Sequence, residues 1–223
     1  MITFILLSFI FAGWQQPDSN SQPRVSTTGT AYLSCTAWTG KDWTSPAARS
    51  SRTPQIESPM GFRAYAEVKV AVNDGSCENT TTVFVSKGIG QQFKIVYTKK
   101  PSDRNGNGVR LIGWSPNGEK LLAEINLWDY ESDSGYDHVA LVYDIPNNVA
   151  KEFHPDNALT RHFGSNCDYE LSVEGWKTNQ EAIIKVSKSP ETEEYEQHSC
   201  VKEPQRFVFD LQKETVRAES QGH

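Results

Sequence analysis

Apolar and polar residues alternate with a period of two in short runs between residues 54 and 223: Tyr65 to Val70, Thr82 to Val85, Phe93 to Tyr97, Leu121 to Ile125, Val139 to Tyr143, Ala182 to Val186 and Phe207 to Phe209. A strand turns successive side chains to opposite faces, so this pattern predicts half-buried β-strands. No stretch of comparable length carries a helical period, and little helix is expected. Residues 14–53 are instead rich in Ser, Thr, Pro and Gln, with one short strand expected within Thr30 to Thr36. They read as a polar N-terminal linker ahead of a β domain at 54–223.

The strands are punctuated by a recurring turn. Ser58-Pro59-Met60-Gly61 returns as Ser115-Pro116-Asn117-Gly118, and a cation, an Ala, a Glu and a β-branched residue follow both at matching positions. Pro presets φ to about −65° at the second turn position, Ser bonds back to the backbone, and Gly takes the left-handed conformation that closes a hairpin. Trp114 recurs as Trp176, and Tyr143-Asp144 recurs as Phe209-Asp210, at a similar spacing. Three four-stranded antiparallel repeats are expected, at about 54–100, 109–154 and 168–219. The strands after the second turn are placed at Glu119 to Leu127, His138 to Asp144 and Val149 to Phe153.

The segment from Trp114 through Ser115, Pro116, Asn117 and Gly118 to Leu122 resembles the W-S-P-D-G-K-x-L blade of TolB-type and prolyl-oligopeptidase-type β-propellers. The resemblance spans about a dozen residues, is partial over Ser58 to Val68, and is faint at Trp176 to Val186, where Lys177-Thr178-Asn179-Gln180 replaces the Ser-Pro turn. It implies an all-β, blade-like fold and no functional residue, because the turn itself is structural. Closed propellers have at least four blades. Three repeats therefore imply a propeller closed by a second copy in a homodimer, closure by the N-terminal segment, or an open β-meander.

Composition narrows the function classes. With 22 basic and 28 acidic residues the formal charge is −6, and no basic stripe interleaved with aromatics offers a nucleic-acid surface. Residues 1–13 (MITFILLSFIFAG) resemble an export signal and are too few to span a bilayer, so a secreted or periplasmic protein without a transmembrane segment is expected. Cys35, Cys77, Cys167 and Cys200 show no C-x-x-C spacing. In an exported chain they suggest disulfides, for which four cysteines allow three connectivities.

Strand direction gathers the longer loops on the rim opposite the Ser-Pro turns. Cys167 precedes the first strand of the third repeat and Cys200 its third strand, which favours Cys167 with Cys200 and leaves Cys35 with Cys77. The same rim carries Trp128, Asp129, Tyr130, Glu131, Asp133, Tyr136 and Asp137, expected as a recognition surface for a protein or glycan because exposed aromatics suit binding hot spots. A second acidic loop at Glu191 to Glu196 reads as a solvated hairpin. Asp103, Asn105 and Asn107, followed by Gly108, match the opening of a calcium loop; Trp114 stands where a bidentate Glu would complete an EF-hand, which leaves a non-helical calcium turn completed by Asp129, Glu131 or Asp133, or a plain connector of Asx turns and glycines. His138, His154, His162 and His198 also fall on this rim, at no recognised metal spacing. Gly113-Trp114-Ser115 only approaches a G-x-S-x-G elbow, and Asn79-Thr80-Thr81 has the form of a glycosylation acceptor in an expected loop. The sequence thus favours an exported, non-catalytic binding or scaffolding protein. The alternatives are a metal-dependent hydrolase using rim histidines and carboxylates, and a structural envelope protein.

Overall fold

The Ser-Pro turns set the strand pairing. Gly118 N–H donates to Ser115 O at 2.7 Å and Gly61 N–H to Ser58 O at 2.9 Å, with φ of +75° and +78° at the two glycines. Each serine hydroxyl accepts a backbone N–H from beyond its turn, Lys120 at 2.9 Å and Phe62 at 3.2 Å, so both serines are buried turn anchors. These turns sit in a computed structural model that describes residues 24–25, 29–33, 37–38, 43–44, 49–73, 76–100, 105–129, 137–189 and 201–219.

Among the described residues the N-terminal part carries six short strands: β1 (Arg24–Val25), β2 (Thr30–Ala31), β3 (Ala37–Trp38), β4 (Trp43–Thr44), β5 (Ser50–Arg52) and β6 (Ile56–Glu57). Longer strands follow as β7 (Arg63–Asn73), β8 (Ser76–Ser86), β9 (Lys94–Lys99), β10 (Asn105–Trp114), β11 (Lys120–Asp129), β12 (Asp137–Asp144) and β13 (Val149–Phe153). Helix α1 (Pro155–Phe163) leads to β14 (Tyr169–Trp176), β15 (Glu181–Lys188), β16 (Gln205–Asp210) and β17 (Thr215–Ala218). They form a first sheet ordered β1-β5-β7-β8-β9 with β6 also on β7, a middle sheet β13-β12-β11-β10-β2, a third sheet β14-β15-β16-β17, and the pair β3-β4. All pairings are antiparallel except β1 with β5. The chain is all-β and open, not closed into a barrel.

The middle and third sheets share local devices. A bulge falls at Leu111/Gly113 in β10 and at Val173/Gly175 in β14, where an extra residue bends the strand. Asn148 and Glu214 both take positive φ, +52° and +54°, in the turns after β12 and β16. Asp144 and Asp210 begin those turns and accept backbone N–H groups, from Asn147 at 3.0 Å and from Gln212 at 2.9 Å. The three hairpin turns also touch in a row. A side chain at Gly118 would come within 2.8 Å of Met60, and Asn117 N–H donates to Asn179 Oδ1 at 3.0 Å.

Two apolar cores result, one on each side of the middle sheet. Leu121, Ala123, Ile125, Leu141 and Tyr143 pack against Ala64, Ala66, Val68 and Val83 of the first sheet. Leu122, Ala140, Val142 and Phe153 pack against Leu171, Val173, Ile184, Phe207 and Phe209 of the third. The helix lies in a segment expected as loop. Pro155 at its first turn supplies a preset φ, Asp156 meets the positive helix end, and Ala158 and Leu159 are buried in the second core. Among the described residues no helix is long and apolar enough to cross a membrane.

Candidate functional site

The rim opposite the Ser-Pro turns is framed by the start of β10, the end of β11 and the start of β12. Trp128, expected to be exposed there, is only 9% exposed. The β10–β11 register sets it opposite Gly106, and its indole occupies the place a side chain would fill: a Cβ on Gly106 would overlap Trp128 Nε1. Gly108 and the ring of Tyr32, 4.8 Å away between centroids, complete the seat. Trp128 is therefore an anchor at the base of the β11–β12 connection. Asp129 closes β11 opposite Asn105, and Asp137 opens β12 as an exposed residue opposite Leu127. Tyr130, Glu131, Asp133 and Tyr136 lie outside the described residues, as do Glu191 to Glu196 and His198.

The calcium-loop reading changes for the same local reason. Asn105 to Gly108 are extended backbone within β10, not the tight turn a calcium loop forms. Asn107 is 1% exposed and its amide ties two sheets, accepting Thr81 Oγ1 at 2.6 Å and donating to Asn79 O at 2.8 Å. Asp103 lies outside the described residues. Asn79, expected in an exposed loop, is wholly buried in β8 and donates to Leu33 O, which closes it to glycosylation in the folded chain. Ser115 stays committed to its turn at 1% exposure, so it offers no exposed hydroxyl.

Glu124 is the buried charge beneath this rim, 2% exposed in β11 and facing the third sheet. Its Oε2 accepts Arg110 Nε at 2.8 Å, and its Oε1 accepts the Val173 N–H at 2.8 Å and faces His138 Nδ1 at 3.1 Å. Arg110 also donates to Val173 O at 2.7 Å, so carboxylate and guanidinium together bridge β14 to the middle sheet. Burial alone would raise the Glu124 carboxyl. The bonds from His138 and Val173 and the Arg110 charge outweigh it and hold the group below its ordinary value.

Close by, at the start of α1, burial and the charge of Asp137 push the Asp156 carboxyl up, opposed by His138, a Tyr169 hydrogen bond and His154. His162 packs edge-on to Phe163 and Phe207, with ring centroids 4.8 and 5.2 Å away. Among the described residues no three His, Cys, Asp or Glu side chains converge as a metal-holding group. Cys167 is disulfide-bonded, and its partner is not among the described side chains.

The sequence held signals for the two anchors. Glycines at alternate strand positions opposite a tryptophan mark an aromatic covering bare backbone. A Glu within the apolar run Leu121 to Ile125 marks a carboxylate that folding must pair.

Two stability changes follow. Gly106→Ala overpacks the Trp128 seat and is expected to lower stability by about 2 kcal/mol with an altered near-ultraviolet tryptophan signal. Chemical denaturation and circular dichroism check this, and an unchanged variant refutes the seat. Glu124→Gln is expected to lose about 2 kcal/mol at pH 7. Because the folded carboxyl is depressed, its contribution is present above the unfolded value of 4.5 and is lost as pH falls through the folded value. The gap between wild type and variant should therefore close as melting is followed downward from pH 4.5.

No protein-family model matches the chain, and no curated protein sequence matches it.

Proposed function

We propose that this chain is an exported, non-catalytic binding or scaffolding module that presents the rim Trp128 to Asp137 to a protein or glycan partner, carried on blade-like repeats of the TolB propeller type. The observation that supports this reading best is the use made of the buried charges below the rim. Glu124 spends both oxygens on Arg110, His138 and Val173, and Asn107 spends its amide on Thr81 and Asn79. These groups tie sheets together instead of facing a substrate. The same ties, with Trp128 on Gly106, hold both strands that flank residues 130–136, so the rim projects from a fixed base. A fixed base lowers the ordering cost of binding.

The repeat reading draws on the recurrent bulges, the paired positive-φ turns and the contact between successive Ser-Pro turns. The disulfide at Cys167 fits an oxidising compartment, as export through residues 1–13 would provide.

Two measurements test the proposal. Tyr130→Ala with Tyr136→Ala lies beyond the paired residues Leu127 and Asp137, so melting should not move while affinity for a glycan or peptide captured on an array falls at least tenfold, roughly the loss of one hot-spot residue. Equal binding by wild type and variant, or no ligand on either array, defeats the recognition rim. Digestion of the unreduced protein is expected to yield a peptide joining Cys167 to Cys200, and a link from Cys167 to Cys35 or Cys77 refutes that pairing.

A further inference from the structure

The outermost strands of the first two sheets, β9 and β13, run side by side, and the gap between them is sealed at only one end. Towards the loop rim, Tyr97 donates its hydroxyl proton to Glu152 at 2.5 Å, and Lys99 Nζ reaches both Glu152 oxygens at 3.1 Å. At the Ser-Pro rim the gap opens into a pocket of about 290 Å³ between the β8–β9 connection and the turn after β12. Its floor is apolar, from Val85, Ile95 and Val96, and its wall carries Lys87, Lys94 and Asn148. None of its nine lining residues is acidic, in a chain whose formal charge is −6.

The wall is built in advance of any ligand. Ser86 Oγ, in a wholly buried residue, lies 2.9 Å from both Gly88 O and Gln91 O, and Gln91 N–H donates to Gly88 O at 3.2 Å, which fixes the connection that carries Lys87. On the other side Asn148 is held at φ +52°, and its Oδ1 accepts Tyr143 Oη at 2.9 Å and Lys87 Nζ at 3.5 Å. The Asn148 amide nitrogen, the side-chain amides of Gln91 and Gln92 and the ammonium groups of Lys87 and Lys94 are thus the donors that the lining residues carry. Ile95, 63% exposed and paired with Phe84, stands at the open edge of the pocket. Donors above an apolar floor suit a molecule with a negative head and an apolar body.

We propose that this pocket binds a small organic carboxylate, its head on Lys87 and Lys94 and its apolar body on Val85, Ile95 and Val96. The site lies on the opposite rim from Trp128 to Asp137 and does not rest on that surface. The whole chain, labelled for methyl and amide NMR, would be titrated with three probes: hexanoate, 1-hexanol and inorganic phosphate. Hexanoate is expected to give saturable shifts at Val85, Ile95, Val96 and Asn148, with hexanol and phosphate at least about tenfold weaker, the consequence of each lacking one half of the recognised chemistry. Lys87→Met and Lys94→Met should each weaken hexanoate about fivefold, as for a solvent-facing ion pair, while melting and the weak hexanol shifts stay the same. The proposal is overturned by shifts that do not saturate, by hexanol or phosphate binding as tightly as hexanoate, or by lysine variants that bind hexanoate unchanged.

Discussion

The centre of the middle sheet, along β11 and β12, is covered on both faces, and the rest of the molecule is arranged around that constraint. Leu121, Ala123 and Ile125 enter one core while Leu122 enters the other, and β12 divides in the same way between Leu141 and Ala140. A sheet covered on both faces reads as near-continuous apolar sequence in place of alternation, which is why Leu121 to Ala123 and Val139 to Tyr143 have so few polar interruptions. Any polar group left inside must be paired or bear a cost of about 1 to 3 kcal/mol. Asn107 on the side of the first sheet and Glu124 on the side of the third are satisfied by partners from a neighbouring sheet, whereas Asn126 Oδ1 and Trp114 Nε1 in the same sheet bear that cost, buried with no hydrogen-bond partner among the described residues. The polar pairs thus fix the relative position of sheets that apolar contact alone would let slide.

Much of this is legible in the sequence. The strand expected at Val149 to Phe153 is observed there, and the expected strand His138 to Asp144 differs by one residue from β12. Those segments are readable because turn chemistry is local: Pro, Asn and Gly act close to where they stand. Helix α1 escapes the sequence pattern although its signals are equally local. Pro155, Asp156 and the terminal Arg161 and His162 form a start and a stop, but the helix has only nine residues, too few for a periodic pattern to stand out.

The burial of Asn79 and Asn107 is not legible, and the alternate glycines Gly106 and Gly108 mark a seat for Trp128 only once the strand pairing is known; the reason is distance along the chain. Trp128 is covered because the β10–β11 register brings it over Gly106, and Asn79 because Leu33 reaches it from β2's side of the molecule. A loop motif such as Asp103 to Gly108 is read as a turn from composition, yet pairing with β11 draws its second half into a strand. Non-local pairing overrides local propensity wherever a buried partner is available.

The outer faces of the first and third sheets differ in chemistry. On the outer face of the third sheet Arg206 bonds Glu174 at 2.8 Å, Arg217 bonds Glu181 at 2.6 Å and Lys177 bonds Glu219 at 2.7 Å. Docking another sheet there would strip water from all three pairs, and burying ion pairs costs more than their attraction returns unless the geometry is preserved. The outer face of the first sheet is different: Tyr65 stacks on Phe84 at 4.6 Å and meets Phe93 edge-on at 4.8 Å, with Arg52 lying 4.2 Å over the tyrosine ring. Aromatic and arginine side chains of this kind are enriched at interfaces, whereas a lattice of exposed ion pairs is not.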